Sequence, residues 1–317
     1  MRVVIIDGLN VVPDDVARLR AHAEVRVFDD VPATPAEIVA RADGAAAILN
    51  SWTRIDADVF AHLPALRMVS LAATGTDLID LEAAARYGVT VCSVPQYASA
   101  AVAELTIGLM LAVARHIPAV DREVRRVGAI EWSAPAGVEL CGKTLGVVGT
   151  GAIGRRVARV ARCLGMELVG YDPLPDDALR DELGLRYATL PEVLAASDVV
   201  TMHAPLMAKT QGMLGREELR LIPAGGMLIN AARARLVDQD ALYDALRDGH
   251  LAGAGLDDID LTRPSGRGLL AMENVVVTPH VGYKTSEAVA TLAATCAENV
   301  VRFLDGDPQN VVAPPAP

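Results

Sequence analysis

The most informative feature of the sequence runs from Leu145 to Asp172: Leu-Gly-Val-Val-Gly149-Thr-Gly151-Ala-Ile-Gly154-Arg-Arg-Val-Ala-Arg-Val-Ala-Arg-Cys-Leu-Gly-Met-Glu-Leu-Val-Gly-Tyr-Asp. An apolar strand, a glycine turn, a helical pattern and a second apolar strand follow one another and end at an acid. Gly149 would make a tight turn, Gly151 would let backbone N–H groups approach a pyrophosphate, and Gly154 would let the helix pack closely on the strand. This order of features predicts a dinucleotide-binding βαβ unit.

The acid at the end of this stretch predicts which dinucleotide is bound. Asp172 follows the second strand, where a carboxylate can hydrogen-bond the adenosine ribose and would repel the 2′-phosphate of NADP. The helix would aim its positive end at the phosphates. We therefore expect NAD as the cofactor, with Ala152, Ile153 and Arg155 completing this part of its site.

Length, composition and charge narrow the class of protein. The 317 residues are enough for two domains, and the 52% that are hydrophobic supply two cores. The formal net charge of −11 argues against nucleic acid and anionic membranes as partners. The four cysteines lack metal-site spacing, so we predict thiols in a reducing cytoplasm and no metal. The N-terminus has a strand pattern rather than a signal peptide.

Hydrophobic patterns on either side of the glycine turn predict an α/β protein with two doubly wound parallel sheets. Ser99–His116 is a helical pattern with few charges that would carry the chain into the second domain. Ser286–Leu304 is a helix that would pack back onto the first domain. We therefore expect a Rossmann cofactor domain over 99–285, inserted into a discontinuous flavodoxin-like substrate domain formed by 1–98 and 286–317.

The patterns also bound individual elements. Leu236–Arg247 predicts a helix, and only a short proline-rich tail is expected after the last helix. The predicted strands of the first domain are Met1–Gly8, Glu24–Phe28, Ala45–Asn50, Leu66–Ala72 and Val89–Ser93. Beyond the glycine turn they are Val199–Met202, Met227–Asn230, Gly253–Leu256 and Val275–Thr278.

Three short segments place polar groups directly after buried strands, where open α/β sheets bind ligands. An arginine there can hold a carboxylate and polarise a carbonyl. A histidine can give a proton to the forming alkoxide and take it back. Taken singly, such residues are more often surface ion-pair or structural residues, but their order behind a dinucleotide turn favours reversible carbonyl reduction. The segments are Met202-His203-Ala204-Pro205, Ile229-Asn-Ala231-Ala-Arg233 and Thr278-Pro-His280.

Together these segments resemble the NAD-dependent D-isomer-specific 2-hydroxyacid dehydrogenases. The resemblance covers essentially the whole chain and implies the two-domain fold, a cleft between the domains and a homodimer formed through the cofactor domains. The further segments that carry it are Gly255-Leu-Asp257, Thr278-Pro-His280-Val-Gly282, Gly75-Thr-Asp-Leu-Ile-Asp80, and Val94-Pro95 with Val102-Ala-Glu104.

The resemblance also implies roles for particular residues. Arg233 would be the substrate-binding catalytic arginine, His280 the general acid/base, and Asp257 an aspartate near the nicotinamide. The other residues expected around the cofactor are His203, Ala204, Pro205, Ala231 and Gly282. On the substrate side we expect the carboxylate-binding loop Thr74, Gly75 and Thr76, with Trp52 and Tyr97 as the aromatic residues best placed by sequence.

One departure from the family concerns the partner of the histidine. Five residues past the aspartate and ahead of a proline, the family normally carries a glutamate that hydrogen-bonds the catalytic histidine. Counting from Asp257 puts Thr262 at that position, and counting back from the proline puts Arg263 there. Neither is a carboxylate, so either Asp258 or Asp260 would have to take the role. Formate dehydrogenases of the superfamily tolerate glutamine there, so the change need not abolish hydride transfer.

A second departure is Ala234, where the family usually has glycine, followed by Arg235. Arg235 and Lys284 could serve a substrate with a second anionic group, or they could simply face solvent. We predict an NAD-dependent enzyme that interconverts a small 2-oxoacid and its D-2-hydroxyacid. Two alternatives remain open at this point: a dehydrogenase of an unusual donor such as phosphite, phosphonate or formate, and a low-turnover NAD(H)-sensing regulator.

Overall fold

The chain forms two compact units, each an α/β structure. One is Met1–Tyr97 with Thr285–Pro317, and the other is Ala98–Lys284. The computed structural model describes residues 1–8, 13–129 and 135–313, so most of the proline-rich tail expected at the end lies outside the described residues.

The first unit is built on a six-stranded sheet. The strand order is β13-β5-β4-β3-β1-β2, and β1 to β5 run parallel. The parallel strands thus follow the 2-1-3-4-5 order of a flavodoxin-like sheet, as predicted. The strands are β1 (Arg2–Ile5), β2 (Glu24–Val27), β3 (Ala47–Asn50), β4 (Met68–Leu71), β5 (Thr90–Cys92) and β13 (Val311–Ala313).

Side-chain caps fix where most helices of this unit begin. Thr34, Asp56, Asp80 and Thr285 each accept a hydrogen bond from a backbone N–H in the first turn. The last helix packs against β3 and β4. The helices are α1 (Pro13–Arg20), α2 (Pro35–Ala42), α3 (Ala57–Ala61), α4 (Leu81–Arg86) and α13 (Ser286–Leu304).

Two expectations for the first unit were wrong in detail. A strand follows the last helix, because β13 pairs antiparallel with β5 and the carbonyl of Asn310 accepts a hydrogen bond from the N–H of Ser93 at 3.0 Å. The predicted strand Met1–Gly8 ends at Ile5, since the chain then turns to bring the carboxylate of Asp7 beneath a neighbouring loop.

The second unit is built on a seven-stranded parallel sheet of order β12-β11-β10-β9-β6-β7-β8. From β8 to β11 this is the Rossmann order with β6 at its centre, and β12 extends it at one edge. Apolar side chains pack on both faces, as expected for a parallel sheet. The strands are β6 (Thr144–Val148), β7 (Glu167–Tyr171), β8 (Arg186–Tyr187), β9 (Val199–Met202), β10 (Gly226–Asn230), β11 (Leu251–Leu256) and β12 (Val275–Val277).

Two predicted helices of this unit have different bounds. Ser99–His116 ends at Ala114, because His116 is left-handed with φ of 52° and a second helix begins at Ile117. Leu236–Arg247 begins at Gln239, where the side chain of Asp238 caps it. The helices are α5 (Ser99–Ala114), α6 (Ile117–Val127), α7 (Ala152–Cys163), α8 (Asp177–Leu183), α9 (Leu190–Ala195), α10 (Arg216–Leu221), α11 (Gln239–Arg247) and α12 (Pro264–Leu270).

Within the described residues, no single helix has the length and apolarity needed to cross a membrane. The pair α5 and α6, bent by 60°, meets the criterion jointly, by length and composition only.

Candidate active site

The glycine turn after β6 has the geometry that the sequence predicts. Gly149 has φ of 94°, and a Cβ there would lie 2.8 Å from the backbone nitrogen of Ala204. A Cβ on Gly154 would overlap the carbonyl oxygen of Gly149, so the glycine allows α7 to approach the turn. Gly149 and Gly154 are therefore required by backbone contacts.

Gly151 is not required by a protein contact, because it faces open space. A Cβ on Gly151 would meet no heavy atom within 4 Å. Ala152 and Ile153 open α7, and the first N–H groups of a helix have no intrahelical acceptor. Room and donors thus coincide at a helix N-terminus, which fits the pyrophosphate of a dinucleotide.

Asp172 lies at the end of β7 with both carboxylate oxygens engaged. It accepts hydrogen bonds from the backbone N–H of Thr150 at 2.8 Å and of Leu174 at 2.9 Å. These bonds fix a negative charge at the adenosine end predicted for the cofactor. The guanidinium of Arg155, also expected near the cofactor, is ion-paired with Asp176 at 2.7 Å.

His203 follows β9 and is held as a neutral ring. Its Nε2 lies 3.0 Å from the hydroxyl of Thr201, and burial lowers its pKa to about 3. Its Nδ1 is buried and has no hydrogen-bond partner among the described residues. An orphaned buried nitrogen beside the glycine turn also fits a bound cofactor. A ring that stays neutral in this way does not donate a proton near neutral pH.

The turn that carries Arg233 is fixed by the side chain of Asn230 at the buried end of β10. The amide of Asn230 donates to the carbonyl of Arg233 at 2.9 Å, and its oxygen accepts from the N–H of Ala232 at 3.0 Å. Ala231 between them is buried. Asn230 is a positioning residue to which sequence reasoning gave no role, although a buried polar residue at a strand end is a usable signal.

The loop that carries His280 is fixed by Asp257 at the end of β11. The buried carboxylate accepts hydrogen bonds from the hydroxyl of Thr278 at 2.5 Å and from the N–H groups of Val281 at 2.9 Å and Gly282 at 2.7 Å. The N–H of His280 donates to the carbonyl of Asp257 at 2.6 Å. Asp257 thus shapes the histidine loop, and the place near the nicotinamide that the resemblance implies for it stays a prediction.

The same loop explains why residue 282 is glycine. A Cβ on Gly282 would lie 2.8 Å from Oδ2 of Asp257. His280 itself is left-handed, with φ of 54°, a conformation that non-glycine residues adopt rarely. The hydrogen bonds of Asp257 stabilise this conformation.

Of the two carboxylates that could replace the family's glutamate, Asp258 lies beside the histidine. Its Oδ2 is 3.9 Å from Nδ1 of His280. Asp260 is engaged with the hydroxyl and N–H of Thr262, at 2.5 and 2.9 Å. The side chain of Arg263 pairs with Asp240 at 3.1 Å.

In the first unit, hydrogen bonds to the side chain of Asp7 fix the loop after β3. This buried carboxylate accepts hydrogen bonds from the N–H groups of Ser51, Trp52 and Thr53 at 3.0, 2.8 and 2.9 Å, and from the hydroxyl of Thr53. The side chain of Trp52 stays 45% exposed. Sequence reasoning missed Asp7, because it placed the residue inside a strand.

The remaining predicted substrate residues also lie after strands of the first unit. The hydroxyl of Thr74 donates to the carbonyl of Val94 at 2.9 Å, which ties the loop after β4 to the loop after β5. Thr74 is exposed, whereas Gly75, Thr76 and Tyr97 are half-buried.

A dinucleotide turn, an arginine and a histidine at the carboxyl edge of one Rossmann sheet define a nicotinamide-dependent oxidoreductase. Residues 107–282 match the model of the D-isomer specific 2-hydroxyacid dehydrogenase, NAD binding domain. The chain belongs to the D-isomer specific 2-hydroxyacid dehydrogenase family, which confirms the predicted family, fold class and NAD cofactor.

Individual relatives agree with this assignment. A glycerate dehydrogenase of Methylorubrum extorquens is 38% identical over 290 residues, which cover 88% of this chain and 89% of the relative. A D-3-phosphoglycerate dehydrogenase of Methanocaldococcus jannaschii is 38% identical over 272 residues, 84% of this chain but 51% of that protein, so the chain spans about half its length. The structure of D-lactate dehydrogenase from Aquifex aeolicus, complexed with NAD and lactic acid, is 26% identical with a TM-score of 0.89 and covers 100% of both chains.

Proposed function

We propose that the protein interconverts a small 2-oxoacid and its D-2-hydroxyacid with NAD as the cofactor. One observation carries this proposal. The turn of Arg233 and the loop of His280 are each fixed by a buried polar side chain, Asn230 and Asp257, at the sheet edge that carries the dinucleotide turn. A protein that only sensed NAD(H) would need neither a fixed arginine nor an acid/base.

Different residues of the chain bind the substrate and transfer the proton. Bound nicotinamide supplies or accepts the hydride. Arg233 binds the substrate carboxylate and polarises its carbonyl, since a guanidinium donates two parallel hydrogen bonds. Because Nδ1 of His280 faces Asp258, we assign proton transfer to its Nε2, which protonates the alkoxide in reduction and removes the hydroxyl proton in oxidation.

Two further cations, Arg235 and Lys284, are exposed, which supports a substrate with a single carboxylate. The guanidinium of Arg235 is exposed and donates to the side-chain oxygen of Gln211 at 2.8 Å. Lys284 is also exposed. Both observations support the solvent-facing interpretation of these two charges.

The test is NADH oxidation with a panel of 2-oxoacids: glyoxylate, hydroxypyruvate, pyruvate, phenylpyruvate and phosphorylated analogues. We expect turnover with at least one acid, and we expect His280→Ala to lower kcat by about 10²–10⁴-fold. NADH binding, measured by fluorescence titration, should survive in that variant. Tight NADH binding without turnover of any acid would contradict the proposal and favour the donor or sensor alternatives.

We also propose a cytoplasmic homodimer. The low charge of α5 does not support dimerisation by itself, because half of the residues of this helix are already buried within the chain. The better support is α6, which buries none of its residues and leaves Ile117 53% and Val124 40% exposed.

A further inference from the structure

The chain lacks the family's glutamate, yet a carboxylate still lies beside the histidine. Oδ2 of Asp258 is 3.9 Å from Nδ1 of His280. The same oxygen is 3.3 Å from the backbone N–H of Ala234, which donates to it. One carboxylate oxygen therefore faces both the loop of His280 and the turn that carries Arg233.

We propose that Asp258 is the positioning residue of His280: its carboxylate orients the imidazole and favours the protonated ring, in place of the glutamate that this chain lacks at Thr262 or Arg263. The role of this pair in turnover rests on the proposed function. The contact itself belongs to one unit of the structure and does not depend on which acid is the substrate.

The surroundings of Asp258 suit this role. Burial raises its pKa, but its interaction with His280, the N–H of Ala234 and the charge of Arg233 outweigh that effect and hold the pKa below its ordinary value. Asp258 is therefore ionised whenever the protein works near neutral pH. A separation of 3.9 Å is an ion-pair contact rather than a hydrogen bond, and such contacts often shorten in the ligand-bound enzyme.

The other charged groups around the histidine do not fill this role. The carboxylate of Asp257 accepts three hydrogen bonds from the loop itself, and that of Asp260 is bound to Thr262. Arg233, whose charge acts on Asp258, is a cation and cannot replace a carboxylate at this place. Tyr283, whose ring centre lies 6.4 Å from that of His280, has a pKa raised by burial and by the charge of Asp257, so it is neutral.

This arrangement determines which nitrogen of the His280 ring carries the transferable proton. With Asp258 at Nδ1, the neutral ring keeps its proton on Nδ1 and the charged ring carries a second proton on Nε2. In reduction, the Nε2–H bond breaks, an O–H bond forms on the substrate, and the neutral ring remains. Loss of the Asp258 charge should therefore make the ring give up its proton at lower pH.

The experiment compares Asp258→Asn, which removes the charge, with Asp258→Glu, which keeps it on a longer side chain. The matched control is Asp260→Asn, which removes a neighbouring carboxylate two residues away. We expect the descending limb of kcat/KM for 2-oxoacid reduction to move to lower pH by about one unit in Asp258→Asn. It should stay near the wild-type position in Asp258→Glu and in Asp260→Asn.

A second readout needs no turnover. In the full-length protein with labelled histidine, the NMR titration midpoint of His280, assigned by its loss in His280→Gln, should fall by about the same amount in Asp258→Asn. Asp258→Ser gives a second charge-removing variant if the asparagine protein does not fold.

The outcomes separate the two claims. An unchanged pH limb and NMR midpoint on removal of the charge overturn the inference, as does a shift in Asp260→Asn of equal size. If no 2-oxoacid is turned over but the midpoint of His280 still falls in Asp258→Asn, the proposed function fails while the pairing of Asp258 with His280 stands.

Discussion

Asp257 and Asp258 are neighbours in the chain, yet their carboxylates do different work. Asp257 is buried and accepts hydrogen bonds from the loop of His280, whereas Asp258 is half-exposed and faces the imidazole. The sequence alone left open whether Asp258 or Asp260 lies beside the histidine. Spacing along an irregular loop does not determine side-chain direction, so this choice needed the structure.

Asp257→Asn tests the positioning of the histidine loop. One amide hydrogen would face the N–H of Val281 or Gly282, so we expect the free energy of unfolding to fall by about 1–3 kcal/mol. We also expect kcat to fall with little change in NADH affinity, because the glycine turn is untouched. Urea unfolding and fluorescence titration measure the two effects, and wild-type stability with wild-type kcat would contradict the assignment.

The burial of His203 predicts that the free energy of unfolding depends on pH. Its pKa is lowered by burial from 6.5 to about 3, so the folded protein keeps the ring neutral while the unfolded chain protonates it. This contribution to stability is present above pH 6.5 and is lost as the pH falls from 6.5 towards 3, with a slope of up to about 1.4 kcal/mol per pH unit.

Urea unfolding of the cofactor-free protein between pH 7 and about 4.5 measures this slope, since most carboxylates stay ionised there. We expect His203→Gln to reduce the slope of the unfolding free energy against pH. His22→Gln, which removes an exposed histidine, should leave this slope unchanged. Equal slopes in the wild type and in His203→Gln would show that the ring titrates normally.

At the scale of elements, long periodic patterns were predicted best. Helix α13 and strand β9 have the bounds that the sequence predicted, and the strand, glycine turn and helix of the fingerprint follow one another in the predicted order. Helix α3 was missed because five residues are too few to show periodicity, and β13 was missed because it is a three-residue edge strand whose existence depends on pairing with β5. Helix α6 was missed for a different reason, since the break at His116 is a local left-handed conformation.

Gly149→Ala tests whether the glycine turn is required by its backbone. The alanine would have to adopt a strained positive φ, and its Cβ would lie 2.8 Å from the backbone nitrogen of Ala204. We expect a loss of about 1–3 kcal/mol of stability and at least a roughly tenfold weaker NADH affinity. Gly108→Ala in α5 is the matched control, because a Cβ there meets no atom within 4 Å. If both variants bind NADH like the wild type, the turn does not have the assigned role.

At the scale of the whole molecule, family membership and the cofactor followed from ordered motifs, whereas the identity of the acid did not. The motifs lie at strand ends, where the backbone topology fixes their place. We expect substrate choice to depend on loops such as the one that Asp7 holds in the first unit, and residue identity there does not determine the shape of a pocket. That Asp258 rather than Asp260 lies beside His280 likewise follows from geometry and not from a motif.

We propose above that the chain reduces a 2-oxoacid to the D-2-hydroxyacid with His280 as the acid. The most direct measurement is chiral chromatography of the product formed from NADH and the best acid of the panel, by the wild type and by His280→Ala. We predict the D-isomer from the wild type and at least 100-fold less product from the variant, the lower bound for loss of a general acid. An L-isomer, or a D-isomer formed equally fast without the histidine, would overturn the proposed function.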